Sequence, residues 1–273
     1  MWKYAALISY VGTRYCGWQK QKGSAAEGLP SIQETIEDRI RQITTEDKVS
    51  LVGSGRTDAG VHAAGQVMHF VTRRKEWDPA VLMKALNSYS QLPPDIRVIR
   101  IQRVPSEFHA QRSASRKQYS YYFQQGPVSV PSLEPYSWWI RKKLDLKAMQ
   151  RALDHLCGEH DFKPFQSSGA KVTTTVRRIL ESEVGWEPIT FPGSPHWDAE
   201  RLGLVRVRLV GTGFLKQMVR GIAGTLLQIG EGRRDPEDMR VILQTGDRSQ
   251  VGQTAPGRAL WLERVWYPAE FGF

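Results

Sequence analysis

Cysteine is scarce in this chain: two residues, Cys16 and Cys157, among 273. They stand far apart and form no Cys-x-x-Cys pair, which argues against a disulfide framework and leaves two reduced thiols of a cytoplasmic protein. The six histidines form neither a His-Glu-x-x-His pair nor a Cys/His ligand array, so no metal site is expected. His155 and His160, five apart across an expected helix end, read as structural. No apolar run reaches the length of a membrane span. Met1 to Tyr10 has no basic segment leading into a long apolar one, so no secretory signal is expected. Acidic side chains are in deficit: 28 Asp+Glu against 38 Lys+Arg, a formal net charge of +10.

That imbalance points to a polyanionic partner, most often nucleic acid. The cations are spread in clusters: Arg73-Arg74-Lys75, Arg112 to Lys117, Arg141-Lys142-Lys143, Arg177-Arg178 and Arg233-Arg234. Several adjoin aromatics. Tyr119, Tyr121 and Tyr122 follow Arg116-Lys117, and Trp138-Trp139 precede Arg141. Cations neutralise phosphates and flat rings stack on bases, so the interleaving suits RNA better than a membrane surface.

The segment with the most chemical content is Gly55-Arg56-Thr57-Asp58-Ala59-Gly60. Strand-like runs flank it, and its two glycines mark a tight loop. Arg56, two positions away, favours the ionised form of the Asp58 carboxylate. A held, anionic, loop-borne aspartate is what nucleophilic or general-base chemistry needs. A phosphohydrolase built on it would want a second carboxylate two residues on for magnesium, and residue 60 is glycine.

The order of elements predicts an α+β chain in two halves, 1–105 and 106–273. In the first, a strand at 3–11 precedes a helix from Ser31, with Ile32, Ile36, Ile40 and Ile43 on one face and a Ser31/Glu34 capping box. Strands at 49–53 and 65–72 bracket the Asp58 loop. A second helix starts at Asp78-Pro79 and turns Leu82, Ala85, Leu86 and Tyr89 inward. A strand at 96–104 closes the half. The second half predicts a tyrosine-rich strand at 117–124, then a helix from Asp145 carrying Leu146, Met149, Leu153 and Leu156 and stopped by Gly158. Strands at 175–185 and 203–210, a long helix at 213–229, a short one from Pro236 to Gln244 and a strand from Leu260 to Tyr267 follow. The segment 187–201, rich in proline, reads as an irregular insertion. Each half follows the β-α-β-β-α-β order of the ferredoxin-like unit. Two antiparallel sheets set side by side, with a basic cleft between them, would enclose one nucleotide.

The motifs agree with one family. Gly55 to Ala63 resembles the signature of the TruA family of tRNA pseudouridine synthases. Tyr10-Val11-Gly12-Thr13-Arg14-Tyr15-Cys16-Gly17-Trp18-Gln19 resembles its opening strand and turn. Phe108-His109-Ala110 followed by Tyr119-Ser120-Tyr121 resembles its central segment. Gly158-Glu159-His160-Asp161-Phe162, Gly213-Phe214-Leu215 with Met218-Val219-Arg220, and Ala255 to Leu262 complete the match over essentially the whole chain. The resemblance implies isomerisation of uridine to pseudouridine in tRNA, with no cofactor, on the 3′ side of the anticodon stem-loop, by a homodimer. By position it implies that Asp58 is the catalytic carboxylate, as nucleophile or as base. Arg220 is the arginine that pairs with it, and Tyr119 stacks on the target base. Arg56 fills the space of the flipped nucleotide or holds the neighbouring phosphate. Leu260 is the apolar wall.

Two positions depart from the family pattern. Gln111 and Arg112 follow Phe108-His109-Ala110 where arginine and an aromatic are usual, and Ala259 stands for glycine before Leu260. These bear on substrate choice and efficiency. A non-catalytic tRNA-binding relative is the alternative reading, opposed by the intact Arg56, Asp58, Tyr119 and Arg220.

Overall fold

Short polar side chains start most of the helices. In the computed structural model, which describes residues 1–20, 28–88, 91–167, 169, 172–188 and 203–273, Ser31 Oγ accepts from Glu34 N at 3.1 Å. Asp78 accepts from the amides of Ala80 and Val81 at 2.8 and 3.0 Å, and Asp145 from Ala148 N at 2.9 Å. Each satisfies donors that the first helical turn leaves without a partner. The capping box forms only in half, because the Glu34 carboxylate pairs instead with Lys20 Nζ at 2.8 Å.

In chain order the elements are β1 (Trp2–Tyr10), α1 (Ile32–Thr44), β2 (Val52–Gly53), β3 (His62–Thr72), α2 (Pro79–Leu86), β4 (Ile96–Arg103) and β5 (Arg116–Gln125). Then follow β6 (Trp138–Ile140), α3 (Leu146–Asp154), β7 (Gly158–Asp161), β8 (Val176–Pro188), β9 (Gly203–Gly211), α4 (Met218–Gly230), α5 (Asp238–Thr245) and β10 (Leu260–Trp266). The fold is α+β, with antiparallel and parallel strand pairs.

Two compact units result, Met1–Lys117 with Trp261–Phe273, and Gln118–Leu260. In the first, β1 pairs antiparallel with both β4 and β3. The other edge of β3 takes β2 antiparallel at His69 and Met68, and β10 parallel at His62 and Ala63. Ile32, Ile36 and Ile40 of α1 and Leu82 and Leu86 of α2 are fully buried. The unit differs from a contiguous 1–105 half because the chain end belongs to its core. Phe108 meets Tyr267 and Phe271 with ring centroids at 5.1 and 5.3 Å.

In the second unit β8 and β9 form a long antiparallel hairpin, from Ile179 opposite Gly211 to Pro188 opposite Gly203. β7 pairs with β8, and β6 runs parallel to β5. α3 packs on β8 and α4, and α5 on α3. Met149 and Leu153 of α3 and Ile222 and Leu226 of α4 are fully buried.

Several boundaries differ from the sequence expectation for local reasons. α4 begins at Met218 rather than 213, because Gln217 takes a left-handed φ of 61° that no helix continues through. α3 ends at Asp154; Gly158, with φ 103°, opens β7 instead of stopping the helix. His155 Nε2 meets Glu237 at 3.0 Å and His160 Nε2 meets Cys157 O at 3.0 Å, so both have structural partners. Tyr89 and the insertion beyond Pro188 lie outside the described residues.

Candidate active site

The Asp58 loop leaves β2 and enters β3, and its backbone is tied at nearly every step. Ser54 N donates to Val67 O at 2.7 Å. The fully buried Gln66 amide then clamps the first leg: its Oε1 accepts from Ser54 Oγ at 2.5 Å, and its Nε2 donates to Gly55 O at 3.0 Å. Lys117 Nζ donates to Ser54 O at 2.6 Å. Further on, Thr57 Oγ1 meets Tyr10 Oη at 2.8 Å inside the core, and Trp18 N donates to Thr57 O at 3.0 Å. Val61 N returns to Asp58 O at 3.2 Å, closing a turn in which Gly60 adopts φ 74°. Burial pushes the Tyr10 phenol up to about 12, against its bonds to Thr57 and Gln66, so it stays neutral at physiological pH.

Opposite this loop runs the segment Tyr10 to Trp18, and the two fit with no room for a side chain. A Cβ on Gly12 would stand 2.0 Å from Val61 O, and one on Gly17 would stand 2.7 Å from Thr57 O. Gly12 N donates to His62 Nδ1 at 3.0 Å, and the His62 ring stacks on Trp261 at 4.5 Å. Asp58 is therefore half-buried on a backbone fixed from both directions, with Arg56 exposed beside it. Such fixing lowers the reorganisation a reacting carboxylate needs.

The second unit holds Tyr119, Arg220 and Leu260. Tyr119, Tyr121 and Phe123 alternate along β5 and are buried together. The Tyr119 ring meets Phe214 edge to face, centroids 5.0 Å apart at 74°. Tyr121 donates to Pro256 O at 3.1 Å, and burial raises its phenol well above the usual range. Arg220 lies half-buried on α4 and exchanges bonds with one residue of the following strap: its Nε donates to Ala255 O at 2.7 Å, and Ala255 N donates to Arg220 O at 3.1 Å. The guanidinium is planar, so this bond sets the direction of its whole fork. The strap lies directly on the helix. A Cβ on Gly224 would stand 1.7 Å from Gln253 O, and Gly252 N donates to Thr225 Oγ1 at 3.0 Å. Leu260 is buried and opens β10 immediately after the turn Gly257–Ala259.

Asp58 and Arg56 thus share one loop of the first unit, and Tyr119, Arg220 and Leu260 belong to the second. Sequence reading missed the strap that orients Arg220. Its signal was Gly221 and Gly224 inside an apolar helix, where glycine costs about 1 kcal/mol relative to alanine unless the backbone is approached closely. It also missed the clamp residue Gln66. Around Phe108-His109-Ala110 a second histidine is at work: His69 Nδ1 accepts from Ala110 N at 3.1 Å, and Tyr267 donates to Ala110 O at 2.6 Å. His109 Nδ1 accepts from Gln111 N and Arg112 N, each at 3.2 Å, leaving both those side chains exposed.

A family model described as tRNA pseudouridine synthase matches residues 6–111 and 152–268. Asp58, Arg220 and Leu260 fall within the matched spans, and Tyr119 lies between them. The chain is 39% identical to a tRNA pseudouridine synthase A of Bdellovibrio bacteriovorus, over 98% of this chain and 96% of the other. It is 40% identical to one of Syntrophotalea carbinolica, over 96% and 94%, and 38% identical to tRNA pseudouridine synthase A 2 of Clostridium tetani, over 95% and 96%. Similarity of this extent defines an isomerase. The chain belongs to the tRNA pseudouridine synthase family.

Proposed function

We propose that this enzyme isomerises a uridine on the 3′ side of the tRNA anticodon stem-loop, with Asp58 as the catalytic carboxylate. The N1–C1′ bond breaks, the uracil turns while held, and C5 bonds to C1′. The hydrogen leaves C5 and N1 gains one, so no atoms are gained or lost and no oxidant is needed. Asp58 acts either as nucleophile toward the nucleotide or as base on the sugar. Arg220 balances its charge, Tyr119 stacks on the uracil, and Leu260 forms an apolar wall. Arg56 supports the position the nucleotide has left or its phosphate. C1′ and C5 of a stacked uridine are poorly accessible, so the nucleotide must leave the helix, at a cost of a few kcal/mol. Stacking on an aromatic ring returns about 1–3 kcal/mol.

The observation that carries this reading is the Asp58 loop: a half-buried carboxylate on a backbone fixed by Gln66, Thr57 and Trp18. We also read the chain as two ferredoxin-like halves. The spatial order β4-β1-β3, with β2 on the far edge of β3, supports this for the first. The assembly we propose is a cytoplasmic homodimer. The test is to incubate the protein with unmodified tRNA transcripts and map pseudouridine by position. Product confined to the 3′ side of the anticodon arm supports the reading. Product elsewhere overturns the site assignment. No product on any tRNA would leave the non-catalytic tRNA binder.

A further inference from the structure

Residues 252–256 belong to no helix or strand, so point contacts decide where they lie along α4. Those contacts form a register. Gln250 O accepts from Arg234 Nη1 at 2.5 Å, and the same nitrogen reaches Gln228 Oε1 at 3.3 Å. Nearer the start of α4, Gly252 N donates to Thr225 Oγ1 at 3.0 Å. Gln253 O lies over Gly224, where a Cβ would stand 1.7 Å from it. One further turn toward the helix start, Ala255 and Arg220 exchange their two bonds. The strap therefore runs antiparallel to α4, and its far end holds the Arg220 guanidinium. Beyond it Pro256 O accepts from the Tyr121 hydroxyl at 3.1 Å, and the turn Gly257–Ala259 leads into Leu260.

The Thr225 hydroxyl is the directional contact in this series. It is fully buried and gives its proton to Gly221 O at 3.0 Å. Only lone pairs then face the strap, so an N–H must fill the position. Gly221 and Gly224 keep the same face clear: a Cβ on Gly221 would stand 3.4 Å from Val251 Cγ1. Glycine lets the strap approach, and threonine selects which residue does. A slip of one residue, about 3.3 Å along extended chain, would carry Ala255 O out of reach of Arg220 Nε. A smaller displacement tilts that bond, and the planar guanidinium turns with it.

We propose that Thr225 is a positioning residue for the reaction: its hydroxyl sets the register of the strap, and the strap, through Ala255 O, aims Arg220. This rests on the reading in which Arg220 balances the charge of the reacting carboxylate. It adds to that reading a buried residue that acts through Arg220.

The experiment compares wild type with Thr225→Val, Thr225→Ser, Arg220→Gln and Gly232→Ala. It measures single-turnover tritium release from C5-labelled uridine in tRNA at saturating enzyme, with tRNA affinity and melting temperature alongside. Thr225→Val keeps the shape of the side chain and leaves the Gly252 N–H without its acceptor. Its rate is expected to fall about 10- to 100-fold, as for a reacting group displaced by up to about 1 Å, with tRNA affinity within about 3-fold of wild type. Thr225→Ser keeps the hydroxyl and should stay within about 3-fold of the wild-type rate. Arg220→Gln should be at least as slow as Thr225→Val. Gly232→Ala, whose Cβ meets nothing within 4 Å, controls for destabilisation alone and should keep its rate.

A Thr225→Val rate within about 2-fold of wild type, with Arg220→Gln slow, overturns the proposal and leaves the reading of Arg220 standing. Equal losses in Thr225→Ser and Thr225→Val also overturn it, because the hydroxyl would then not be the cause. So does a weakened tRNA affinity that accounts for the whole loss. Arg220→Gln at the wild-type rate removes the reading of Arg220 itself, and the proposal falls with it.

Discussion

Alanine at Gly17 tests whether the Asp58 loop is held from behind. Gly17 has φ 108°, a region that costs a residue with a side chain about 1–3 kcal/mol. Its Cβ would also stand 2.7 Å from Thr57 O, 3.0 Å from Asp58 C and 3.1 Å from Ala59 N. Those are backbone atoms, so the loop must retreat by about 0.7 Å to restore an ordinary contact, and overpacking of this kind costs about 1–3 kcal/mol. The combined destabilisation is therefore about 2–6 kcal/mol. A shift approaching 1 Å at a reacting group costs about 10²-fold in rate, and the expected loss in kcat is about 30- to 100-fold. Affinity for tRNA should stay within about 3-fold, because phosphate contacts dominate it. Single-turnover release of tritium from C5-labelled uridine in tRNA, below the melting transition, measures the rate. Gly232→Ala is the control. Its φ is 71°, but nothing lies within 4 Å of the new Cβ, so it should lose about 1–2 kcal/mol of stability and keep the wild-type rate. A folded Gly17→Ala with a rate within about 2-fold of wild type would refute the reasoning that loop position sets the rate.

Tyr119→Phe should cost far less turnover than Tyr119→Ala, since phenyl keeps both the Phe214 contact and a stacking face worth about 1–3 kcal/mol; equal losses in kcat would assign the effect to the hydroxyl. Affinity for tRNA should fall about 10²-fold or more between 50 and 200 mM salt, and a flat response in filter binding would contradict phosphate-led recognition. His69 is held down to about 4, mainly by burial, with Lys3, His109 and Arg112 adding repulsion. The unfolded chain therefore takes up this proton first: the contribution is complete above about 6.5 and is lost as pH falls toward 4, to a limit of about 3 kcal/mol. His69→Asn, which can still accept from Ala110 N, should flatten the melting-temperature profile over that range; an unchanged profile would count against it.

The sequence made the helices legible where period and caps coincide, as at Ser31, Asp78 and Asp145. It also exposed the Asp58 loop, because glycine, charge and flanking strands converge within six residues. Tertiary approaches were hidden. That Gly12 and Gly17 face the Asp58 loop, that Gly224 faces Gln253, and that Arg116 lies over the Trp266 ring all depend on contacts between residues far apart in the chain. Gln217 at positive φ gave no warning, since glutamine has no preference for that region and only the surrounding structure enforces it. The return of Trp261–Phe273 to the first unit was equally unreadable, because a terminal strand carries its own pattern and not the identity of its partner.

The most direct test of the account is Asp58→Asn, which keeps the size and loop position of the side chain and removes its charge. Single-turnover tritium release from C5-labelled uridine in tRNA is expected to vanish, while tRNA affinity measured in parallel stays within about 3-fold of wild type. Turnover above about 5% of wild type in that variant, with the protein folded and binding, would contradict the claim that this carboxylate carries the reaction.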